Sequence, residues 1–207
     1  MNLPNKLTLI RMIATPIFMF TLVANFDYHF VVALFVFIAA SLTDLFDGKI
    51  ARARGLVTDF GKFLDPLADK MLTTAAFIGF LYMKSGSGVE FWRESDGIVW
   101  MVFFILFREF AITSMRLVCS AKGKVIAANM WGKVKTVVQM VSIITILAIE
   151  SLKDITSKTQ NILSDDLVKA FDWITVILLM ATAVLTVVSG VVYVWQNREA
   201  IDPRDAK

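Results

Sequence analysis

The sequence predicts an all-α protein that crosses a membrane six times, and three observations support that prediction. Hydrophobic residues make up 57% of the 207-residue chain, against about 45–50% in a typical soluble domain. Six apolar windows approach the roughly 20 residues that a helix needs to cross a bilayer core. The basic residues are distributed unevenly between the two sides that these windows define. No linker rich in Pro, Gly or Ser separates two halves, so we expect one domain over residues 1–207.

The six apolar windows are joined by short connections, except for the polar segment at residues 150–172. Lipid-facing spans are expected to be helical, because every backbone N–H and C=O must find its partner within the segment. The windows lie at residues 8–25, 29–46, 60–83, 98–118, 130–149 and 173–195.

The basic residues predict the orientation of the chain in the membrane. An even number of spans places both termini on one side, and 16 of the 21 Lys and Arg residues then fall on that side. Cytoplasmic loops of membrane proteins carry the excess of Lys and Arg. We therefore expect both termini, and the turn between the second and third spans, to face the cytoplasm.

Four aspartates flank that turn. Asp44 and Asp47 are three residues apart and Asp65 and Asp69 are four apart, so each pair shares one face of a helix. One straight helix from the first pair to the second would separate them by about 27 Å, so the intervening segment must turn the chain. Carboxylates that converge in a partly dehydrated place repel one another unless cations join them. Hard divalent cations, Mg²⁺ or Mn²⁺, fit oxygen ligands best.

Small residues accompany the carboxylates. Gly48, Ala51 and Gly61 each lie four positions from one of the aspartates, on the same predicted helix face. They let a bulky ligand approach the backbone, and Arg52 offers a planar fork suited to phosphate. Together these features indicate phosphoryl or phosphatidyl transfer. Taken singly, each residue is also typical of a solvated turn or of plain helix packing, and it is the joint spacing that favours a site.

The complete pattern resembles the signature of the CDP-alcohol phosphotransferase family. All eight defining positions match, in the order Asp44-x-x-Asp47-Gly48-x-x-Ala51-Arg52, then eight residues, then Gly61-x-x-x-Asp65-x-x-x-Asp69. The resemblance implies six transmembrane helices, a cytoplasmic active site at the membrane surface, and a homodimer. It also implies that a CDP-linked lipid gives its phosphatidyl group to an alcohol and releases CMP.

The same match implies roles for individual residues. Two divalent ions, Mg²⁺ or Mn²⁺, would be held by Asp44, Asp47, Asp65 and Asp69. Of these, Asp69 would also act as the base that deprotonates the attacking hydroxyl. The CDP group would be lined by Gly48, Arg52 and Thr58, with steric room from Ala51 and Gly61. Apart from the signature, we expect Asn5, Thr8 and Arg11 of the first helix to cover the donor's diphosphate.

Segments outside the signature indicate the acceptor. They resemble the bacterial members of the family that use CDP-diacylglycerol as donor and sn-glycerol 3-phosphate as acceptor, over most of the chain. The segments are "NLPNKLTLIR", "FGKFLDPLADK", "REFAITSMR" and "WGKVKTVVQM". The resemblance places the protein in the bacterial cytoplasmic (inner) membrane. We expect membrane lipid, and no nucleic acid, among its partners.

An acceptor that is a phosphate dianion requires cations, and the fourth and fifth spans supply Arg108, Arg116, Lys133 and Lys135. Arg108 lies inside an apolar run and needs a partner, either Glu109 or the substrate phosphate. Lys133 and Lys135 point roughly 200° apart on a helix, so only one of them should face the acceptor. We favour Lys133.

Three other functions fit the sequence less well. A different acceptor within the family is possible, namely inositol phosphate, serine or phosphatidylglycerol, but a neutral or zwitterionic acceptor would not need so many buried cations. A cation transporter could use the aspartates as its ion path, but the carboxylates cluster at one face of the membrane. A non-catalytic assembly protein could pack through Gly and Ala faces, but it would not explain four carboxylates in register.

Overall fold

The computed structural model describes residues 3–24, 26–54, 59–83, 96–121, 130–159 and 163–198, with side chains for 6–24, 26–43, 67–68, 70–83, 96–120, 130–159 and 163–198. All regular structure in these ranges is helical. The helices are α1 (Leu3–Val23), α2 (His29–Arg54), α3 (Asp59–Met83), α4 (Gly97–Ala121), α5 (Met130–Thr159) and α6 (Asp165–Gln196). The prediction of an all-α fold is confirmed for the described residues.

Four of these helices are long and apolar enough to cross a membrane. Their apolar windows are Lys6–Val23, Gly97–Ser120, Met130–Thr159 and Asp165–Gln196. Shorter apolar stretches occur in α2, at His29–Thr43, and in α3, at Lys70–Met83. The helices are those of a membrane protein, as predicted, and the number of six crossings stays a prediction.

The polar segment at residues 150–172 is more helical than its hydropathy predicts. α5 continues to Thr159, and α6 begins at Asp165. The apolar windows end earlier and begin later than these helices, because a window marks only the part of a helix that suits lipid. The Ser164 hydroxyl accepts a hydrogen bond from the backbone N–H of Leu167 at 3.4 Å. Asp165 and Asp166 occupy the first turn of α6. A capping hydroxyl and negative charges stabilise a helix at this end.

The described chain divides into two compact units. The first takes in Met1–Glu94 and Ile143–Trp173, and the second takes in Ser95–Ser142 and Ile174–Lys207. The divisions fall inside α5 and α6, so both helices contribute residues to each unit. This division concerns compactness and does not test whether residues 1–207 form one domain, so the single domain stays a prediction.

α1 packs against both α2 and α3 in the first unit. The buried rings of Phe18 and Phe37 lie with their centroids 5.4 Å apart and join α1 to α2. Gly79 joins α3 to α1, since a Cβ at this position would lie 2.4 Å from Cδ1 of Leu22. Aliphatic and aromatic packing on α1 therefore positions the two helices that carry the aspartates of the signature.

Ion pairs join α5 to α6 within the first unit. The Lys153 ammonium lies 2.7 Å from the Glu150 carboxylate and also contacts Asp172. The side chains of the three residues are 17%, 18% and 6% exposed. Burial of this kind leaves each carboxylate dependent on the lysine for its counter-charge.

A second lysine of α5 contacts the connection between α1 and α2. The Lys158 ammonium lies 2.8 Å from the Asp27 carboxylate and 5.4 Å from the centroid of the Tyr28 ring. Its hydrogen bond and positive charge hold the pKa of the exposed Asp27 below the usual value. The connection thus contacts the end of α5 through an ion pair whose carboxylate is 82% exposed, and exposed pairs of this kind contribute little to stability.

We expect Lys153→Met to lower the thermal stability of the protein in detergent. Methionine keeps an apolar stem but removes the ammonium, so Glu150 and Asp172 lose their shared cation. Removing one partner of a buried ion pair costs about 3–5 kcal/mol. Thermal unfolding of the purified protein measures the effect, with Lys169→Met as the matched change at an exposed lysine of α6. Equal losses in the two variants would contradict the role of the ion pairs.

Candidate active site

The acidic turn lies between the end of α2 and the beginning of α3. α2 ends at Arg54 and α3 begins at Asp59, so both aspartate pairs fall in helical segments and in separate helices. Both features agree with the spacing of the aspartates. The described part of the chain does not include Thr58, or the side-chain positions of the signature residues Asp44, Asp47, Gly48, Ala51, Arg52, Gly61, Asp65 and Asp69. Their roles therefore stay predictions.

α1 brings two of its predicted site residues into the interior of the first unit. Thr8 is 1% exposed and Arg11 is 2% exposed. The backbone carbonyl of Arg11 accepts a hydrogen bond from the Thr15 hydroxyl at 3.0 Å. Asn5, the third residue predicted here, has its side chain outside the described residues. Arg11 is thus a buried arginine on the helix that packs against α2 and α3, which is consistent with its predicted position near the acidic turn. Its role toward the donor stays a prediction.

A cluster of buried charges joins α4 to α5 in the second unit. Glu109, which is 4% exposed, accepts a hydrogen bond from Nη1 of Arg108 at 3.0 Å and another from the ammonium of Lys135. Of the two partners expected for Arg108, Glu109 is in hydrogen-bond contact with it. Within the described residues, one carboxylate is thus shared by a guanidinium and an ammonium.

The two lysines of α5 point to different sides, as predicted, but the inward one is Lys135. Its side chain is 2% exposed, whereas Lys133 is exposed. Lys133, which the sequence favoured as the lysine that faces the acceptor, is thus the exposed one of the two, and which of them faces the acceptor stays a prediction. Lys135 shares a face with Gln139 and Ser142, both buried, and Glu109 of α4 supplies the counter-charge that permits its burial.

Arg116 lies two turns beyond Arg108 on α4, and between them Ile112 is 8% exposed. Arg116 itself is exposed. The structure thus separates the four cations proposed for the acceptor into two kinds. Arg108 and Lys135 are held by Glu109 in the interior, and Arg116 and Lys133 lie at the surface of the second unit.

Two residues of α6 that the sequence did not single out, Gly190 and Tyr193, lie on one face of the helix, and Gly190 lies against Arg108. A Cβ at Gly190 would lie 2.8 Å from Cγ of Arg108, so α6 approaches this arginine closely. Tyr193, one turn later on the same face of α6, is 2% exposed. A tyrosine inside an apolar span is a weak sequence signal, because its one polar atom needs a partner.

Comparison with known proteins finds a family model and individual relatives that agree with one another. A family model described as CDP-alcohol phosphatidyltransferase matches residues 1–195. A Bacillus subtilis protein named CDP-diacylglycerol–glycerol-3-phosphate 3-phosphatidyltransferase is 43% identical over 159 residues, which cover 70% of this chain and 76% of the relative. A Rickettsia bellii protein of the same name is 34% identical over 192 residues, 93% of each chain. One from Wigglesworthia glossinidia brevipalpis is 33% identical over 150 residues, covering 71% and 77%.

Proposed function

The chain belongs to the CDP-alcohol phosphatidyltransferase family, and from this membership we propose that it transfers the phosphatidyl group of CDP-diacylglycerol to sn-glycerol 3-phosphate. The products are phosphatidylglycerophosphate and CMP. The main support for this acceptor is the similarity, over 93% of both chains, to a relative whose name includes glycerol 3-phosphate. The cations Arg108 and Lys135, which meet at Glu109, add physical support, since a phosphate dianion needs cations to hold it.

The reaction joins a hydroxyl of glycerol 3-phosphate to the phosphorus that carries the diacylglycerol. A new P–O bond forms as the bond from that phosphorus to the CMP oxygen breaks, and the electron pair of the broken bond leaves with CMP. The proton of the attacking hydroxyl passes to a base, and Asp69 is our candidate. Thr8 and Arg11 of α1, with Gly48, Arg52 and the other CDP-site residues, would hold the donor in place.

The donor set of the acidic turn fits divalent metal ions, which the family uses. Four carboxylates, two at the end of α2 and two in the first turns of α3, supply only oxygen ligands, as Mg²⁺ and Mn²⁺ prefer. We propose two such ions, held by Asp44, Asp47, Asp65 and Asp69. When bound, they would stabilise the negative charge that develops on the phosphoryl and leaving-group oxygens.

The proposed setting is the bacterial cytoplasmic membrane, crossed by all six helices. α2 and α3 would cross by way of their shorter apolar stretches. The excess of basic residues on the side of the termini supports a cytoplasmic acidic turn. The family match over residues 1–195 runs through both compact units and supports one functional domain. A homodimer follows from the family resemblance alone.

We expect the purified protein to release CMP from CDP-diacylglycerol fastest with sn-glycerol 3-phosphate. The test compares this acceptor with inositol phosphate, serine, phosphatidylglycerol and free glycerol in the same detergent micelles. Glycerol lacks the phosphate and should be a poor acceptor. A preference for serine or free glycerol would contradict the proposed acceptor. Ion flux in liposomes without any release of CMP would instead favour a cation transporter.

A further inference from the structure

Gly190 of α6 lies against the side chain of Arg108 on α4. Gly190 is buried, and a Cβ at this position would lie 2.8 Å from Cγ of Arg108, 3.5 Å from its Nε and 3.7 Å from its Cδ. Real Cβ atoms essentially never come within 3.0 Å of another heavy atom in this way. The stem of Arg108 therefore runs across α6 along a path that a glycine at residue 190 leaves open.

The contact involves the part of the Arg108 side chain that is hardest to move. Cγ is the second carbon of the side chain, so it can leave Gly190 only if the side chain turns about its Cα–Cβ bond into another rotamer, or if a helix shifts. Either movement displaces the guanidinium, whose Nη1 donates a hydrogen bond to the Glu109 carboxylate at 3.0 Å. An alanine at residue 190 would thus move the guanidinium without removing any of its atoms.

The position of this guanidinium matters because it can still donate. Its Nε is buried and has no hydrogen-bond partner among the residues that the structure describes. Buried polar groups in folded proteins are nearly always paired, so this N–H calls for a partner. Arginine presents its N–H groups as a rigid planar fork. The oxygens of a ligand can therefore meet them only where the stem of Arg108 places the fork.

Close packing of two helices is the other role that a glycine at such a position can have. Small residues between membrane helices let the backbones approach one another. Among the described residues, however, the three heavy atoms nearest to a Cβ at Gly190 all belong to the side chain of Arg108 and not to the backbone of α4. The space that the glycine leaves is thus occupied by the arginine stem.

We propose that Gly190 is a positioning residue for the acceptor, which gives the stem of Arg108 its path across α6 and so sets where the guanidinium meets the phosphate of glycerol 3-phosphate. The inference rests on the proposed function, in which Arg108 helps to hold that phosphate. Gly190 acts through Arg108 and not through a contact of its own with the substrate. Its effect should therefore fall on the acceptor and should disappear when the stem of Arg108 is removed.

The variant Gly190→Ala tests the proposal, because it adds one methyl group against Cγ of Arg108. We expect KM for glycerol 3-phosphate to rise by about 10-fold to 100-fold, as for the loss of a charge-assisted contact, with KM for CDP-diacylglycerol unchanged. Arg108→Ala should raise the acceptor KM by a similar factor. Adding Gly190→Ala to Arg108→Ala should raise it no further, because an alanine at residue 108 has no Cγ to displace.

Gly79→Ala is the matched control at a crowded glycine of the first unit, where a Cβ would lie 2.4 Å from Cδ1 of Leu22. It adds the same methyl group between two other helices, so a general effect of crowding should appear in its unfolding temperature. The ratio of its acceptor KM to its donor KM should stay that of the wild type. Glycerol 3-phosphate should also raise the unfolding temperature of the wild type and of Gly79→Ala more than that of Gly190→Ala.

The outcomes separate this inference from the proposed function. If the wild type uses glycerol 3-phosphate and Gly190→Ala keeps its KM, the inference is overturned and the proposed function stands. The inference also fails if both KM values rise by the same factor, or if Gly190→Ala raises the acceptor KM as much beside Arg108→Ala as it does alone. If Gly190→Ala does not fold, recovery of the fold in the double variant would support the inference, and failure of both variants to fold would overturn it. A wild type that does not use glycerol 3-phosphate overturns the proposed function and the inference with it.

Discussion

Asp44→Asn, Asp47→Asn and Asp65→Asn are each expected to abolish the release of CMP from CDP-diacylglycerol. The amide has nearly the shape of the carboxylate, so the helices should persist, but it is a neutral and weaker ligand for a hard cation. Asp96→Asn, the same change at an exposed position before α4, should leave the rate unchanged. Initial rates with saturating glycerol 3-phosphate provide the measurement, and a rate near that of the wild type in any of the three variants would count against the metal site.

Chelation should have the same effect as these substitutions. EDTA is expected to inactivate the wild type, and Mg²⁺ or Mn²⁺ should restore its activity. Binding can be followed independently of turnover, because Mn²⁺ held by the protein changes its electron paramagnetic resonance signal. The Asn variants should then bind less Mn²⁺ than the wild type and Asp96→Asn. Full activity in the presence of chelator would contradict the proposed metal site.

Lys135→Met is expected to raise KM for glycerol 3-phosphate by about 10-fold to 100-fold, the change that a charge-assisted contact corresponds to. Lys135 is buried beside Glu109 and belongs to the cationic cluster of α4 and α5, so its ammonium should reach the acceptor phosphate. KM for CDP-diacylglycerol should change little. Lys133→Met is a matched control two residues away, at an exposed position, and we expect it to leave both KM values nearly unchanged.

Two further measurements distinguish binding from folding for this pair of lysines. Removing Lys135 leaves Glu109 with Arg108 alone, so the unfolding temperature of Lys135→Met must be measured beside its kinetics. A variant that is less stable but keeps the wild-type KM for the acceptor would make Lys135 a structural counter-ion. A raised acceptor KM in Lys133→Met, with none in Lys135→Met, would return the role to the lysine that the sequence favoured.

The acidic turn was predictable because its information is local. Spacings of three and four residues place carboxylates on one helix face wherever a helix forms, and the separate helices α2 and α3 agree with them. The apolar windows likewise located each of the six helices in the described part of the chain. They missed the helical continuation of α5 to Thr159 and the start of α6 at Asp165. Hydropathy measures how well side chains suit lipid, and backbone hydrogen bonding can continue beyond the apolar part of a helix.

By itself, the sequence determined the helical class, the membrane setting and the residues of the acidic turn, since composition and short periodic spacings specify these without reference to the rest of the chain. Only the tertiary structure decided that Lys135 turns inward and Lys133 outward, and that Gly190 lies against Arg108. These facts depend on how α5 and α6 rotate against α4. The rotation is set by contacts between residues distant in the chain, such as Glu109 with Lys135 and Ser142 with Thr182 at 2.9 Å. A buried lysine is tolerated only where such a partner supplies its counter-charge.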